Sequence, residues 1–328
     1  MDLSITLEPN RPISELIKTV QVAESLGFSK CWVADEGIVN RDIFITLALL
    51  AEHTQRIKLG TGITNPYIRH PGITAAAIAT LNELSNGRIF MGISAGGTIT
   101  LNPLGLKHKK PLTAVREMVM SSRSLFQGNN LSVEGELFSF QNATISFAQN
   151  NIDIWIAARG QKMLSLAGEI ADGVILGPLH RDLIDDYIGF VNQGMSLSGN
   201  KTKLCFTTSV VFEEKNLEEI RNHMSFNLID SPPKVKELLG ITPEMVDKVR
   251  SILVNEGPDK AGKLIPIDWI LPFVIMGTEI ECKQQITEIQ SKYGIDDFRI
   301  QLSEGCSQIS QLEKFADVFN LKKENNGD

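Results

Sequence analysis

The sequence predicts an α/β protein, a single (β/α)8 TIM barrel with insertions. Two observations predict this fold. Short apolar strands alternate with amphipathic helices from the N-terminus onward, and the same alternation returns in the second half of the 328-residue chain. Each such unit places its strand parallel to the previous one, with the helix outside the sheet. Eight units favour a closed barrel over an open doubly wound sheet, although a strand count does not exclude the open form.

The first half of the chain holds four β-α units. Proline opens the first and third helices, where it is tolerated in the first turn, and glycine follows their last residues. Apolar residues of the first helix, such as Leu16 and Val20, fall on one face at helical spacing. We predict strands at residues 3–7, 31–34, 56–63 and 88–93, and helices that begin near Pro12, Ile43 and Pro71.

The second half repeats the pattern with two interruptions. We predict four more strands, at residues 154–157, 172–176, 204–212 and 298–302, and a helix at residues 163–170. Residues 129–147 are predicted to be a hairpin inserted before the fifth strand. Residues 231–266 are more polar and are punctuated by prolines, which predicts a helical insertion. We expect one domain over residues 1–328, with a frayed tail at residues 321–328.

Charge and cysteine content narrow the class of protein. The net charge is -7 and lysines and arginines do not cluster, so we expect no nucleic-acid partner. No apolar run reaches the length of a membrane span, and the N-terminus lacks the features of a signal peptide. The four cysteines lack metal-ligand spacing and suit a reducing cytosol. We therefore expect a cytoplasmic protein without a metal site.

Candidate site residues follow from the barrel, since binding and catalytic groups lie at the C-terminal ends of its strands. Asp35 and Glu36 follow the second strand. Glycines gather after the third, fourth and fifth strands, where the backbone can closely approach a planar ring or a phosphate. The last of these segments also precedes a helix, whose N-terminus favours phosphate. The cofactor-binding candidates are Gly62, Ile63, Thr64, Asn65, Ser94, Ala95, Gly96, Gly97, Arg159, Gly160, Gln161, Lys162 and Met163.

Each candidate also has a plainer interpretation, which the sequence leaves open. Asp35 and Glu36 are equally consistent with a helix cap and a solvated acid. The glycines are consistent with tight turns alone, and residues 159–162 with a solvated turn. His70, which stands just ahead of a helix, is expected to be structural.

Residues 92–96 match the G-x-S-x-G elbow of serine hydrolases, with Ser94 as the nucleophile. That motif needs a helix directly after the serine, whereas residues 97–103 are a poor helix start. His180 and His223 follow in the right order for a triad, but nothing marks either of them. The phosphate-loop, zinc-protease and dinucleotide-binding motifs are absent. A serine hydrolase is kept as an alternative.

Three blocks of sequence resemble a known family. Residues 62–71, GITNPYIRHP, and residues 78–88, IATLNELSNGR, resemble the luciferase-like superfamily of flavin and deazaflavin oxidoreductases. Residues 160–173 agree. Within the superfamily, the chain looks most like the coenzyme F420-dependent methylenetetrahydromethanopterin reductases. The resemblance is close from Trp32 to about Gly177 and weaker from there to Leu302.

The resemblance implies a bacterial-luciferase-like barrel that binds coenzyme F420 at its C-terminal mouth. The implied reaction is hydride transfer between the deazaflavin C5 and a small organic substrate, such as methylenetetrahydromethanopterin or a related compound. The resemblance also implies a non-prolyl cis peptide bond between Gly62 and Ile63, beneath the ring. The loops at residues 94–97 and 159–163 would hold the phosphate-bearing tail. A homodimer formed through the second and third helices is implied as well.

The chain departs from the family pattern at three positions. The reductases carry Glu on the first strand, where this chain has Thr6, and Asp after the fourth strand, where it has Gly97. Many deazaflavin relatives have His after the second-strand Asp, where this chain has Glu36. We therefore predict Glu36 as the catalytic acid or base, with Asp35 beside it. The alternatives are an FMN-dependent monooxygenase or reductase of the same superfamily, and a barrel relative that has lost catalysis.

Overall fold

A computed structural model describes residues 1–149, 152–212, 217–302 and 307–321. Among these residues the chain forms eleven strands, nine of which are parallel. The strands are β1 (Asp2–Leu7), β2 (Lys30–Val33), β3 (Lys58–Thr61), β4 (Ile89–Ile93), β5 (Leu131–Glu134), β6 (Ser139–Ala143), β7 (Ile154–Ala158), β8 (Gly173–Leu176), β9 (Lys203–Val211), β10 (Val274–Met276) and β11 (Asp297–Gln301).

Eight of the parallel strands close on themselves into a barrel. Their order is β1-β2-β3-β4-β7-β8-β9-β11, and β11 pairs back onto β1. At the closing seam, Ser4 pairs with Arg299 and Thr6 pairs with Gln301. The predicted (β/α)8 barrel is therefore confirmed, and each of the eight predicted strands overlaps a barrel strand.

Strand β10 was not predicted. It comprises three residues and pairs in parallel with the upper end of β9, at Ser209–Val211. A strand of this length is too short to display an alternating pattern, so its pairing with β9 defines it.

The helices pack around the outside of the barrel. They are α1 (Ile13–Ser25), α2 (Ile43–Glu52), α3 (Pro71–Leu84), α4 (Thr98–Leu101), α5 (Pro111–Phe126), α6 (Gln161–Ile170), α7 (Ile184–Ser198), α8 (Leu217–Ile229), α9 (Pro233–Leu238), α10 (Pro243–Glu256), α11 (Pro258–Gly262), α12 (Glu279–Tyr293) and α13 (Gln308–Phe319). None of the described helices is both long and apolar enough to cross a membrane.

Helix α4 corrects the expectation that residues 97–103 start a helix poorly. Its four residues are helical because tertiary contacts hold them: Leu101 is buried, and the Thr100 hydroxyl donates to Glu36. Packing thus overrides a weak local preference, as it commonly does for short helices.

Two layers of apolar side chains make up the core. The larger layer fills the space between strands and helices, with residues such as Leu7, Leu47 and Leu59 fully buried. The smaller layer lies inside the barrel and consists of Trp32, Phe90, Trp155, Ile175 and Cys205. The Trp32 ring centroid is 4.3 Å from that of Phe90 and 5.4 Å from that of Trp155. These rings fill the middle of the barrel, so any ligand space lies beyond them, at one end.

Ion pairs close the N-terminal end of the barrel. The buried Lys30 Nζ lies 2.9 Å from Asp2 Oδ2 and 3.2 Å from Asp297 Oδ2. Burial alone would lower the pKa of Lys30, but the charges of Asp297 and Asp2 outweigh it and raise that pKa. Lys30 and the two carboxylates therefore lie together at this end, where Asp297 Oδ1 has no hydrogen-bond partner among the described residues.

The structure also describes the two predicted insertions. Strands β5 and β6 pair as an antiparallel hairpin within residues 129–147, and the Glu117 carboxylate of α5 accepts three backbone N–H groups from its turn. Residues 231–266 contain α9, α10 and α11. Apart from Leu321, the predicted tail at residues 321–328 lies outside the described residues.

Candidate active site

The C-terminal ends of the strands form the mouth of the barrel, and hydrogen bonds join three of its loops. The Thr64 hydroxyl, after β3, donates to Asp35 Oδ2, after β2, at 2.6 Å. The Ser94 amide, after β4, donates to the Thr64 carbonyl at 3.0 Å. The structure thus brings together the candidates that the sequence selected from β2, β3 and β4.

Asp35 is buried in this network. Arg69 Nη1 lies 3.9 Å from its Oδ2, and burial raises the pKa of the carboxyl in spite of the Thr64 hydrogen bond and the Arg69 charge. The helix cap considered for Asp35 is instead supplied by Asp42, whose Oδ1 accepts from the amides of Phe44 and Ile45 at the start of α2. Asp35 therefore ties the β2 loop to the β3 loop.

Glu36 is half-buried at the mouth. Its Oε2 accepts a 2.6 Å hydrogen bond from the Thr100 hydroxyl of α4. Burial raises the pKa of Glu36, the Thr100 hydrogen bond opposes that rise, and the Asp35 charge adds to it. A carboxyl whose pKa is raised in this way, at the mouth of a barrel, is suited to exchange a proton with a ligand.

The β3 loop contains the cis peptide bond that the resemblance implied, between Gly62 and Ile63. A Cβ on Gly62 would lie 2.5 Å from Trp32 Cβ, so only glycine lets this backbone rest on the tryptophan. Asn65 is also buried. Its Oδ1 accepts from the amides of Tyr67 and Ile68, whereas its Nδ2 has no partner among the described residues.

The β4 loop does not have the geometry of a nucleophile elbow. Ser94 Oγ accepts from the Gly96 amide at 3.1 Å, and the first helical residue after it is Thr98. His180 caps a different turn, where its Nδ1 accepts from the Asp182 amide at 3.3 Å. The side chain of His223 lies outside the described residues. The described geometry therefore offers no support for a serine hydrolase.

The β7 loop presents a helix N-terminus. Gly160, in an extended conformation, precedes α6 and provides no side-chain cap, so the first amides of the helix, at Gln161, Lys162 and Met163, are available to an anion. Arg159 Nη1 donates to the Asn227 carbonyl of α8 at 3.3 Å. Burial lowers the pKa of Arg159, and the Asp230 charge opposes that effect.

Some residues of the mouth were not predicted from the sequence. Thr100 holds Glu36, and Asn227 and Asp230 of the α8 region reach Arg159 and Thr98. These partners are distant in sequence from the groups they hold, so no local pattern marks them. At the end of β8, by contrast, the sequence does contain a local indication of a turn, the pair Gly177-Pro178, and the peptide bond between these residues is cis.

His70 has the structural role expected for it. Its Nδ1 accepts from the Gly72 amide at the start of α3, and its ring packs edge-on against Phe138 and Phe140 of the hairpin. Among the described residues, no group of three or more His, Cys, Asp or Glu side chains is placed to hold a metal ion.

Comparison with known proteins agrees with this architecture. The sequence profile of the luciferase-like monooxygenase family matches residues 2–296. The 5,10-methylenetetrahydromethanopterin reductase of Archaeoglobus fulgidus is 35% identical, over 90% of this chain and 91% of that protein. The enzyme of the same name from Methanolobus tindarius is 31% identical, over 88% of this chain and 90% of that protein.

Solved structures show the same fold. The coenzyme F420-dependent tetrahydromethanopterin reductase of Methanopyrus kandleri superimposes with a TM-score of 0.86 at 27% identity, over 98% of this chain and 99% of that one. An F420-dependent secondary alcohol dehydrogenase superimposes with a TM-score of 0.77 at 17% identity, over 99% and 100%. Since the profile covers most of the sequence and the relatives match nearly end to end, the chain belongs to the luciferase-like monooxygenase family.

Proposed function

We propose that this protein is a coenzyme F420-dependent oxidoreductase that transfers a hydride between the deazaflavin C5 and a small organic substrate. The observation that carries the proposal is the near-complete match to reductases of this kind, at 35% identity over 90% of the chain. Methylenetetrahydromethanopterin is the first substrate to test, because it is the one named for these relatives.

The residues of the mouth fit such a cofactor. The buried Asn65 Nδ2 is a donor without a partner among the described residues, as a group that binds a ring oxygen or nitrogen would be. The uncapped amides at the start of α6, together with Arg159, suit a phosphate-bearing tail. When bound, the cofactor supplies the hydride or accepts it. In this proposal residues 62–65 hold the ring, and residues 94–97 and 159–163 hold the tail.

Glu36 is the proposed acid or base. Thr100 fixes one carboxylate oxygen of Glu36, which leaves the other free to hold a proton for the substrate. Asp35 is a positioning residue, because its hydrogen bond with Thr64 ties the Glu36 loop to the loop that would lie under the ring. Reduction of an organic substrate by hydride is usually accompanied by transfer of a proton, so a carboxyl with a raised pKa beside the substrate is suited to this role.

A binding titration tests the cofactor directly. The purified protein is titrated with F420 and with FMN in parallel, and the fluorescence of each compound is followed. Micromolar or tighter binding of F420 alone is the expected result. Preference for FMN would place the protein among the FMN-dependent monooxygenases or reductases, and binding of neither would contradict both functions.

We also propose that the chain works as one barrel domain, in a cytoplasmic homodimer. Ile45 of α2 and Ile73 of α3, on neighbouring helices, are each 65% exposed, and exposed apolar side chains of this size support a partner there. Free cysteines at Cys31, Cys205 and Cys282 are consistent with a reducing compartment. Sedimentation velocity of the wild type and of Ile73→Glu tests the dimer, since the charged variant is expected to sediment as a monomer.

A further inference from the structure

The inner face of the barrel carries a second buried cation, Arg299 on β11. The residue is 9% exposed, and its guanidinium carbon lies 5.6 Å from the centroid of the Trp32 ring. Its Nε donates to Thr207 Oγ1 at 3.3 Å, whereas its Nη1 has no hydrogen-bond partner among the described residues. A buried guanidinium nitrogen without an acceptor is costly, so its presence calls for an explanation.

The charges near Arg299 do not supply that acceptor. Asp297, two residues earlier on the same strand, has its Oδ2 bound to Lys30 at 3.2 Å, and its Oδ1 has no partner among the described residues, so neither oxygen accepts from Arg299. Burial lowers the pKa of Arg299, and the charges of Asp297 and Glu8 counter this effect without giving Nη1 a hydrogen bond. The guanidinium therefore retains donor capacity at a place where an ionic partner would be strongly held.

A second unpartnered group lies on the adjacent strand. Thr6 is 8% exposed, and its Oγ1 has no partner among the described residues. In the β1–β11 pairing, Ser4 faces Arg299 and Thr6 faces Gln301, so all four side chains share the inner face of the barrel. Thr6 and Gln301 are one level closer to the mouth than Arg299. The Gln301 side-chain oxygen accepts from Ser209 Oγ at 3.2 Å, and its amide nitrogen adds a donor at that level.

We infer that Arg299, Thr6 and Gln301 bind an anionic oxygen group of the substrate, a carboxylate or a phosphate, at the β1–β11 side of the mouth. Two orphaned donors on neighbouring strands and one face are explained together by a single acceptor that both can reach. Along the strand order, β4 lies opposite β11, and β3 lies two strands from β1. The assignment of the anion to the substrate rests on the proposed function, in which the loop after β3 takes the cofactor ring.

Acetate and inorganic phosphate are suitable probes, and they separate a carboxylate site from a phosphate site. Each is titrated into the protein without cofactor, and tryptophan fluorescence is followed because Trp32 lies against Arg299. Thermal unfolding at each concentration gives a second measure, since a ligand that binds only the folded state raises Tm. We expect a saturable fluorescence change and a raised Tm with at least one of the two probes.

Four variants test whether the probe binds at Arg299 and Thr6. Arg299→Gln is expected to weaken the probe at least about tenfold, as loss of a charged hydrogen bond does, and Thr6→Val is expected to weaken it less. Arg250→Gln is the control, because Arg250 is 51% exposed and pairs only with neighbouring Asp247 on α10 in the described contacts. Arg159→Gln tests the tail site, and F420 is titrated into every variant in parallel.

Three outcomes would overturn the inference: no probe binding to the wild type, unchanged probe binding in Arg299→Gln, or loss of binding in Arg159→Gln alone. Loss of F420 binding in Arg299→Gln at unchanged Tm would also overturn it, because the guanidinium would then serve the cofactor. If Arg299→Gln does not fold, the isosteric Thr6→Val decides the question. Probe binding in a protein that binds no F420 would contradict the proposed function and leave the anion site standing.

Discussion

Lys30 and Arg299 are both buried cations on the inner face of one barrel, at different levels, and their surroundings differ. Lys30, toward the N-terminal end, lies within 3.2 Å of two carboxylates. Arg299, nearer the mouth, has its Nη1 without a partner among the described residues, and Thr6 Oγ1 and Asn65 Nδ2, toward the same end, also lack partners there. Among the described residues, the N-terminal end pairs its buried cation, and its unpartnered atom is an acceptor, Asp297 Oδ1, whereas the C-terminal end keeps donors available for ligands.

The largest expected effect is on the stability of the N-terminal end. Lys30→Met would leave the fully buried Asp297 without its cation, and we expect a loss of about 3–5 kcal/mol in the free energy of unfolding. Urea unfolding measures it. Lys203→Met is the matched control, because the ion pair of Lys203 with Asp153 is exposed and contributes less than about 1 kcal/mol. Equal losses in the two variants would remove the distinction between the buried and the exposed pair.

The next effect is on catalysis at the mouth. Glu36→Gln removes the proposed acid or base, and we expect kcat to fall about 100-fold or more while the dissociation constant of F420 stays nearly unchanged. Steady-state kinetics and the fluorescence titration measure the two quantities. Glu52→Gln, at the exposed end of α2, serves as the control. Unchanged turnover in Glu36→Gln would exclude this residue as the proton carrier.

Two glycines test whether the interior of the barrel is packed more tightly than its mouth. A Cβ on Gly173, inside the barrel, would lie 2.0 Å from the Trp155 ring, whereas a Cβ on Gly160, at the mouth, meets nothing within 4 Å. Gly173→Ala is therefore expected to destabilise the fold by about 1–3 kcal/mol or more, and Gly160→Ala by less than about 1 kcal/mol. Differential scanning calorimetry of both variants decides it. A larger loss for Gly160→Ala would show that the mouth is packed more tightly than these distances indicate.

The smallest effect is a displacement along the pH axis. The Thr100 hydrogen bond opposes the rise in the pKa of Glu36, so Thr100→Val is expected to raise that pKa further. The limb of the kcat profile that reports Glu36 then moves to higher pH, whether the acid or the carboxylate is the active form. Thr80→Val, an exposed hydroxyl bonded within α3, should leave the profile in place. A shift to lower pH would contradict the role given to Thr100.

How far the sequence predicts this molecule depends on how local each feature is. The eight barrel strands follow from apolar runs and turn residues that lie within a few positions of each other. The cis bond at Gly62 was implied by the family resemblance, and the loop at Gly160 was predicted from its place after a strand and before a helix. The part played by Arg299 was not foreseen, because an Arg in an alternating strand is equally typical of a solvent-facing position. Only the closure of β11 onto β1 places its side chain inside the barrel.

Strand β9 is nine residues long and belongs to two pairings: its lower part joins β11 in the barrel, and its upper end holds β10. The chain between β9 and β10 therefore leaves and rejoins the sheet at neighbouring positions, which the main-chain hydrogen bonds between these strands hold together. A change within this β9–β10 segment therefore need not alter the barrel strands that flank it. The β9–β10 segment contributes Asn227, whose carbonyl accepts a hydrogen bond from Arg159. Replacing this segment with that of a relative is therefore a direct route to altered ligand preference on the same barrel.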